Sequence, residues 1–178
     1  GVKLISNAGG VNPQACGHAL RQVIEDAGLS LKVAVITGDD LMPKLNQVLV
    51  PQPAEMFTGE PTPPGEAIAS ANAYLGAFPI SEALNQGADI VVTGRCVDSA
   101  VTLGACIHRF GWQRDDLDLL AAGSLAGHLI ECGPQATGGN YTDWHEVADT
   151  LHEVGYPIAE IGIDGAVVMT KPKGTGGC

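Results

Sequence analysis

Short apolar runs that end in small or polar residues alternate along this chain with segments of helical periodicity. The clearest case spans residues 89–110, where an apolar, β-branched run breaks at Thr93-Gly94 and a helix-period pattern begins at Val97. This pattern predicts a buried strand, a tight turn and a helix. Repeated alternation of strands and helices predicts a mainly parallel sheet, in which each helix forms a right-handed crossover between two strands.

The same reading assigns most of the chain to helices and strands. It predicts strands at 3–6, 31–36, 67–73 and 89–93, helices at 13–27, 40–49, 79–86, 97–110, 115–132 and 144–154, and an antiparallel hairpin over 158–169 around Asp164-Gly165. In the first helix, the buried stripe is predicted at Ala15, Ala19, Val23, Ile24 and Ala27. We therefore expect the α/β class, with three layers: a mainly parallel open sheet, helices on both of its faces, and the antiparallel hairpin near the C-terminal end.

The length of 178 residues predicts a single α/β domain over 1–178. Gly1 runs almost directly into a strand, and residues 174–178 stop within a glycine-rich turn. We therefore expect an incomplete, internal piece of a longer chain. Residues 51–66 contain five prolines and show little periodicity, which predicts a long loop and a candidate lid.

Charge and cysteine usage narrow the partners and the compartment. A net charge of −11 with nine Lys and Arg argues against nucleic acid and anionic membranes as partners. No apolar run reaches the length of a membrane span. The five widely spaced cysteines form no CxxC pair, which predicts free thiols and a cytoplasmic location.

Polar residues follow each predicted strand of the parallel sheet. The turns at Asn7, Asp39, Asn72 and Arg95 should lie together at one edge, where ligands of open α/β sheets bind. Asp39 and Asp40 are either a cap and a first-turn acid or ligands of a substrate hydroxyl or a divalent ion. Arg95 either pairs with an acid such as Asp98 or binds a carboxylate or phosphate.

A second polar stretch closes the long apolar helix and runs from His128 to Asn140. A helix C-cap at Gly133 followed by Pro134 accounts for those two residues. The remaining residues form a loop with many donors and acceptors and almost no bulk. By contrast, His145 and His152 are predicted on the exposed face of a helix, without a chemical role.

With these motifs assembled, the chain resembles the acyclic terpene utilisation AtuA-like family. The resemblance covers essentially the whole chain and rests on residues 7–13, 71–77, 90–98 and, above all, on GHLIECGPQATGGN at 127–140. It implies bacterial degradation of citronellol- and geraniol-like terpenes through coenzyme A thioesters, and a lyase step that splits a branched 3-hydroxyglutaryl-type thioester. Members of the family extend beyond both ends of this chain.

The site assignments follow from side-chain chemistry, since the resemblance carries no residue roles. Cleavage of a 3-hydroxy thioester needs a cation for the distal carboxylate and a base for the hydroxyl. We assign Arg95 as the cation and Glu131 as the base, followed by Asp98 and His128. The predicted substrate-binding residues are Asn7, Gly9, Gly10, Asn72, Gly94, Gln135, Thr137, Gly138, Gly139 and Asn140.

Several alternatives stay open at this stage. Cys96 or Cys132 could act as a nucleophile. Coenzyme A is expected only as part of the substrate, and no motif predicts a metal site, although a divalent ion could hold the enolate oxygen. The reaction could instead be that of a hydro-lyase on a small carboxylic acid, or the chain could be a non-catalytic scaffold or regulatory subunit. Besides the acyl-CoA or carboxylate substrate, we expect a homo-oligomer or contacts with the missing flanks.

Overall fold

Three parallel strands, β1 (Leu4–Ser6), β2 (Val33–Ile36) and β3 (Ile90–Thr93), form one sheet in the computed structural model, which describes residues 1–177. The strand order is β1-β3-β2, and Val91 of β3 lies opposite Ile5 on one side and Ala34 on the other. β3 has a neighbour on each side, and its residues Val91 and Val92 are buried. The apolar run that predicted a central strand therefore occupies one.

The chain forms two compact units, one of Gly1–Leu75 with Ala88–Cys96 and the other of Gly76–Gly87 with the residues from Val97 onward. The first contains the sheet, α1 (Pro13–Asp26) and α2 (Leu45–Leu49). The second contains α3 (Phe78–Asn85), α4 (Ala100–Phe110), α5 (Leu117–Glu131) and the antiparallel strands β4 (Ile158–Ile161) and β5 (Val167–Thr170). Short 3-10 helices span Met42–Lys44, Gly65–Ala67, Gly133–Thr137, Trp144–Glu146 and Ala148–Glu153. The mixed α/β class, with a parallel sheet and an antiparallel C-terminal hairpin, is confirmed.

Helix α1 begins and ends as its sequence predicts. The Asn12 side chain accepts a hydrogen bond from the Ala15 N–H at 3.0 Å, Pro13 occupies the first turn, and Gly28 follows the helix at φ +65°. Of the predicted buried stripe, Ile24 is confirmed, whereas Ala15, Ala19, Val23 and Ala27 are exposed and the prediction is wrong for them. The second buried residue of the helix is Gly17. Gly17 sets this face, because a Cβ there would lie 2.3 Å from Val35 Cγ2 of the sheet.

The predicted strand at 67–73 is wrong. The structure has a 3-10 turn at Gly65–Ala67 and then an irregular segment with isolated bridges from Asn72 to Asp40 and from Leu75 to Cys96. Apart from Ile68, residues 67–73 are Ala, Ser and Asn, which lack the β-branched bulk that stabilises a ladder. The predicted helix at 40–49 is split into 3-10 and α segments, and the one at 144–154 consists of two 3-10 helices.

Glycines let the helices of the second unit approach one another closely. A Cβ on Gly127 of α5 would lie 2.6 Å from the Ser99 carbonyl oxygen, and one on Gly104 of α4 would lie 2.6 Å from Ile80 Cβ. A Cβ on Gly123, one turn before Gly127, would lie 2.8 Å from Leu103 Cδ1, so this face of α5 packs directly against α4.

The predicted hairpin turn at Asp164-Gly165 is confirmed, with Gly165 at φ +81° and Asp164 Oδ1 accepting from the Ala166 N–H at 3.1 Å.

The proline-rich segment 51–66 forms an ordered turn in the first unit. Ala54 bridges to Pro61, and the Glu55 carboxylate accepts a hydrogen bond from the Phe57 N–H at 2.9 Å. Further backbone donation from Thr58 is the main reason that the pKa of Glu55 falls below its usual value. The turn leaves Met56 and Phe57 exposed. Its role as a lid stays a prediction.

Cys16, Cys96, Cys106 and Cys132 are free thiols, as predicted, and Cys178 lies outside the described residues. Within residues 1–177, none of the helices combines the length and the hydrophobicity that a membrane span requires.

Candidate functional site

A cavity of about 780 Å³ lies in the first unit, where the segments that follow its parallel strands meet. Its lining includes Gly10 and Asn12 from the turn after β1, Thr37, Gly38, Asp39 and Asp40 from the turn after β2, Asn72 and Tyr74 from the irregular segment, and Arg95 from the turn after β3. The turns after the parallel strands thus lie together, as predicted, and the cavity is formed between them. Asn7 stands at the start of the first turn, where its carbonyl accepts from the Gly10 N–H at 3.1 Å.

Asp39 joins three of these turns through a nearly buried carboxylate. Its Oδ2 accepts from the Arg95 backbone N–H at 2.7 Å and from Asn72 Nδ2 at 3.3 Å. Its own carbonyl accepts from the Ala73 N–H at 2.8 Å. Only 4% of Asp39 is exposed, so these bonds replace the water that the charge loses on burial.

The adjacent carboxylate of Asp40 stabilises the turn that leads into a 3-10 helix. Asp40 is exposed, and its Oδ1 accepts from the Met42 N–H at 2.9 Å. The N-cap of this helix is Leu41, without a side-chain capping bond, so the predicted cap is wrong for both acids. The Asp39 carboxylate instead binds N–H groups of other turns. Binding of a substrate hydroxyl or a divalent ion by either acid stays a prediction.

Two glycines of the predicted site, Gly9 and Gly94, lie so close to other atoms that a side chain would not fit. A Cβ on Gly94 would lie 2.0 Å from Asp39 Oδ1, and one on Gly9 would lie 2.5 Å from the Thr93 carbonyl oxygen. Gly10, in contrast, has φ +43° and faces the cavity. Packing is thus sufficient to explain Gly9 and Gly94, and their contact with substrate stays a prediction.

Tyr74 orients the Arg95 side chain beside the cavity. Arg95 Nη2 donates to the Tyr74 hydroxyl at 3.1 Å, and the guanidinium carbon lies 5.1 Å from the centre of the tyrosine ring. Together with the Asp39 bond to the backbone, this contact holds the cation at both ends. Its planar fork can bind a carboxylate through two hydrogen bonds.

A separate polar cluster lies at the end of α5 in the second unit. His128 Nδ1 is 3.6 Å from Glu131 Oε1, and the Cys132 thiol donates to the same oxygen at 3.4 Å. The hydrogen bond to Glu131 is the main reason that the pKa of Cys132 is raised, and burial and the charges of Glu131 and Asp98 act in the same direction. A thiol held protonated in this way is a poor nucleophile.

Cys96 also lacks the setting of a nucleophile. It is 1% exposed, and α4 begins only at Ala100, four positions later. The predicted helix start at residue 97 is therefore wrong, and Cys96 does not lie next to a helix N-terminus.

The loop after α5 is held by its own polar groups. Gly133 follows the helix at φ +57°, as predicted for the cap. The buried Thr137 hydroxyl donates to the Gly155 carbonyl and, at 3.3 Å, to that of Pro134. Gly138 has φ +109°, and a Cβ on Gly139 would lie 2.7 Å from the Pro134 carbonyl oxygen. Gln135 and Asn140 are exposed.

The predicted site residues thus fall into two groups. The first unit contains Asn7, Gly9, Gly10, Asn72, Gly94 and Arg95, and the second contains Asp98, His128, Glu131, Gln135, Thr137, Gly138, Gly139 and Asn140. Sequence reasoning missed the joining role of Asp39 and the contact of Tyr74 with Arg95. The role of Asp39 could have been predicted from its position close after a strand. The contact of Tyr74 with Arg95 could not, because no spacing rule links residues that are 21 positions apart.

Comparison with known proteins gives one match. The family model described as acyclic terpene utilisation family protein AtuA matches residues 1–178, the whole chain. No curated protein and no solved structure shows a significant match.

Proposed function

Because this chain belongs to the AtuA family of acyclic terpene utilisation proteins, we propose that it is a lyase of acyclic terpene catabolism. Its substrate would be a branched 3-hydroxyglutaryl-type CoA thioester from the breakdown of citronellol- or geraniol-like terpenes. The role in acyclic terpene utilisation comes from the family itself. The reaction and the substrate are those that the resemblance to the family implies, and the chemistry of the candidate site supports them.

The observation that carries the proposal is the placement of Arg95 on the cavity of the first unit. The cavity volume of about 780 Å³ lies within the usual range for small-molecule sites. The guanidinium is held there by Tyr74 and, through its backbone, by the nearly buried Asp39. A 3-hydroxyglutaryl thioester has a free carboxylate at the end opposite the thioester, and this is the group that Arg95 would bind.

The reaction that we propose breaks one carbon–carbon bond and needs no redox partner. A base removes the proton of the 3-hydroxyl, C3 becomes a ketone, and the C2–C3 bond breaks. Its electron pair moves to C2 as the enolate of the thioester, which then takes up a proton. The products are acetyl-CoA and a branched 3-oxo acid.

Glu131 is our first candidate for the base, followed by Asp98 and His128. Their carboxylates and imidazole are the groups that most often transfer protons in enzymes. Asn72, Gln135 and Asn140 are proposed to orient the substrate through amide hydrogen bonds. Single substitutions Glu131→Gln, Asp98→Asn and His128→Gln would separate the three candidates for the base by their effects on kcat.

The test is turnover of a synthetic branched 3-hydroxyglutaryl-CoA thioester, followed by mass-spectrometric detection of acetyl-CoA and the 3-oxo acid. Arg95→Lys keeps the charge but loses the planar fork, so kcat/KM should fall at least tenfold. Arg114→Lys is the matched control, since Arg114 also lies over an aromatic ring, Phe78, at 4.0 Å. Formation of an unsaturated thioester would favour a hydro-lyase. Absence of both turnover and thioester binding would favour a scaffold.

A further inference from the structure

Three metal-ligating side chains of different chemistry meet at the C-terminal end of α5. His128, Glu131 and Cys132 have the spacing i, i+3 and i+4, which places them on one face of the helix. One ligand atom from each, the imidazole nitrogen, the carboxylate oxygen and the thiol sulfur, lies within 4.8 Å of the other two.

Two of the three separations agree with coordination of a single tetrahedral ion. Ligands bonded to zinc at about 2.0–2.3 Å and at tetrahedral angles lie roughly 3.3–3.7 Å apart. Glu131 Oε1 is 3.6 Å from His128 Nδ1 and 3.4 Å from Cys132 Sγ. The third separation, between the ligand atoms of His128 and Cys132, is within 4.8 Å, so rotation of these side chains would bring the three atoms around one ion.

We propose that His128, Glu131 and Cys132 bind a Zn²⁺ ion. Nitrogen, oxygen and sulfur ligands in one set suit this borderline metal, whereas Mg²⁺ and Ca²⁺ take oxygen ligands only. On binding, the thiol loses its proton to solvent and the sulfur forms the bond to zinc. The three residues supply three ligands, which leaves a fourth position for water or another oxygen ligand.

The charges and the accessibility around the cluster favour a cation. The negative charges of Glu131 and Asp98 both act on the Cys132 thiol and raise its pKa, and the same charges attract a cation. The His128 side chain is 65% exposed and that of Glu131 is 37% exposed, so an ion can reach them from solvent.

The zinc site does not depend on the proposed lyase activity. It does change the choice of base, because His128 and Glu131 would serve as ligands and leave Asp98 as the free carboxylate of the three candidates. Zinc binding without lyase turnover would reject only the proposed function, and lyase turnover by a protein that binds no zinc would reject only the zinc site.

The experiment is titration of the metal-free, untagged protein with Zn²⁺ by calorimetry and with Co²⁺ by absorption spectroscopy. We expect one zinc per chain and a thiolate-to-cobalt charge-transfer band. Cys132→Ser should abolish the band, and Cys132→Ser, His128→Gln and Glu131→Gln should each weaken zinc binding by at least about tenfold, the lower limit seen even for outer-shell partners. Circular dichroism of each variant verifies that the fold is retained.

The chain offers matched controls for two of the ligands. His152 and Glu153 form a similar exposed pair, with Nε2 3.5 Å from Oε1, but neither is in the described cluster of three ligands. Cys16 is a free thiol in the other unit. His152→Gln and Cys16→Ser should leave binding unchanged. Wild-type protein that binds no zinc, or His128, Glu131 and Cys132 variants that bind it as well as wild type does, would overturn the proposal.

Discussion

The Asp39 carboxylate accepts a hydrogen bond from the backbone N–H of Arg95 at 2.7 Å, although the two residues are 56 positions apart in the sequence. This bond fixes the turn after the central strand to the turn after its neighbour. It therefore determines where the Arg95 guanidinium can lie relative to the cavity.

Asp39→Asn should destabilise the protein by about 1–3 kcal/mol. The substitution keeps the shape of the side chain but removes the charge, and hydrogen bonds to charged groups contribute about twice as much as neutral ones. Urea unfolding measures the loss. Asp40→Asn is the control, and because the Asn side-chain oxygen can accept the same hydrogen bond from the Met42 N–H, it should change the free energy of unfolding by less than about 0.5 kcal/mol. Equal losses in the two variants would contradict the joining role of Asp39.

Gly94→Ala should cost about 1–3 kcal/mol, the usual range for inserting a methyl group into a packed site. The new Cβ would lie 2.0 Å from Asp39 Oδ1, so the carboxylate would have to leave its position. Gly76→Ala is the control, because a Cβ there has no neighbour within 4 Å and the backbone φ is not positive. Chemical denaturation of both variants gives the comparison, and a stable Gly94→Ala protein would show that the turn can open without cost.

Tyr74→Phe should weaken the binding of a glutarate-type dicarboxylate about fivefold. It removes the hydroxyl that accepts from Arg95 Nη2 but keeps the ring, and one hydrogen bond contributes about 1 kcal/mol. If the lyase proposal is correct, KM should rise while kcat changes little, since Tyr74 positions the cation and does not react. Tyr141→Phe is the matched control, because its hydroxyl donates to Glu146 and does not line the cavity. Equal binding by wild type and Tyr74→Phe would show that Arg95 keeps its position without this contact.

Asp89→Asn should make the free energy of unfolding less dependent on acid pH. Hydrogen bonds from the Lys32 N–H at 3.0 Å and the Lys3 ammonium at 2.9 Å hold the pKa of Asp89 below its usual 3.8. A depressed folded pKa gives stability that is present above the unfolded pKa and is lost as pH falls below about 3.8 through the folded value. Between pH 5 and pH 2, the free energy of unfolding should therefore fall less steeply with pH for Asp89→Asn than for wild type. The slope for Lys3→Met should be intermediate. Identical slopes would exclude a contribution from this carboxylate.

Local sequence signals predicted most of the regular elements correctly. Asn12 and Pro13 mark the start of α1, the apolar run at 90–93 forms the central strand, and the hairpin turns at Asp164-Gly165. These features depend on near neighbours in the chain, on capping hydrogen bonds and on glycine at positive φ. The strand predicted at 67–73 was wrong because its small residues form no ladder, and its path follows an isolated bridge from Asn72 to Asp40 and one from Leu75, just beyond it, to Cys96.

Part of the candidate site could be predicted from the sequence and part could not. The spacing of His128, Glu131 and Cys132 on one helix can be read from the sequence, because three and four residues make one helical turn. The burial of Asp39 and its bonds to Arg95 and Asn72 cannot be read in this way, because they join residues that are distant in the chain. The sequence by itself determined the elements and the chemical groups at their ends. Only the tertiary structure decided which of those groups meet, since that depends on the parallel pairing of β2 with β3 and on the close approach that Gly94 permits.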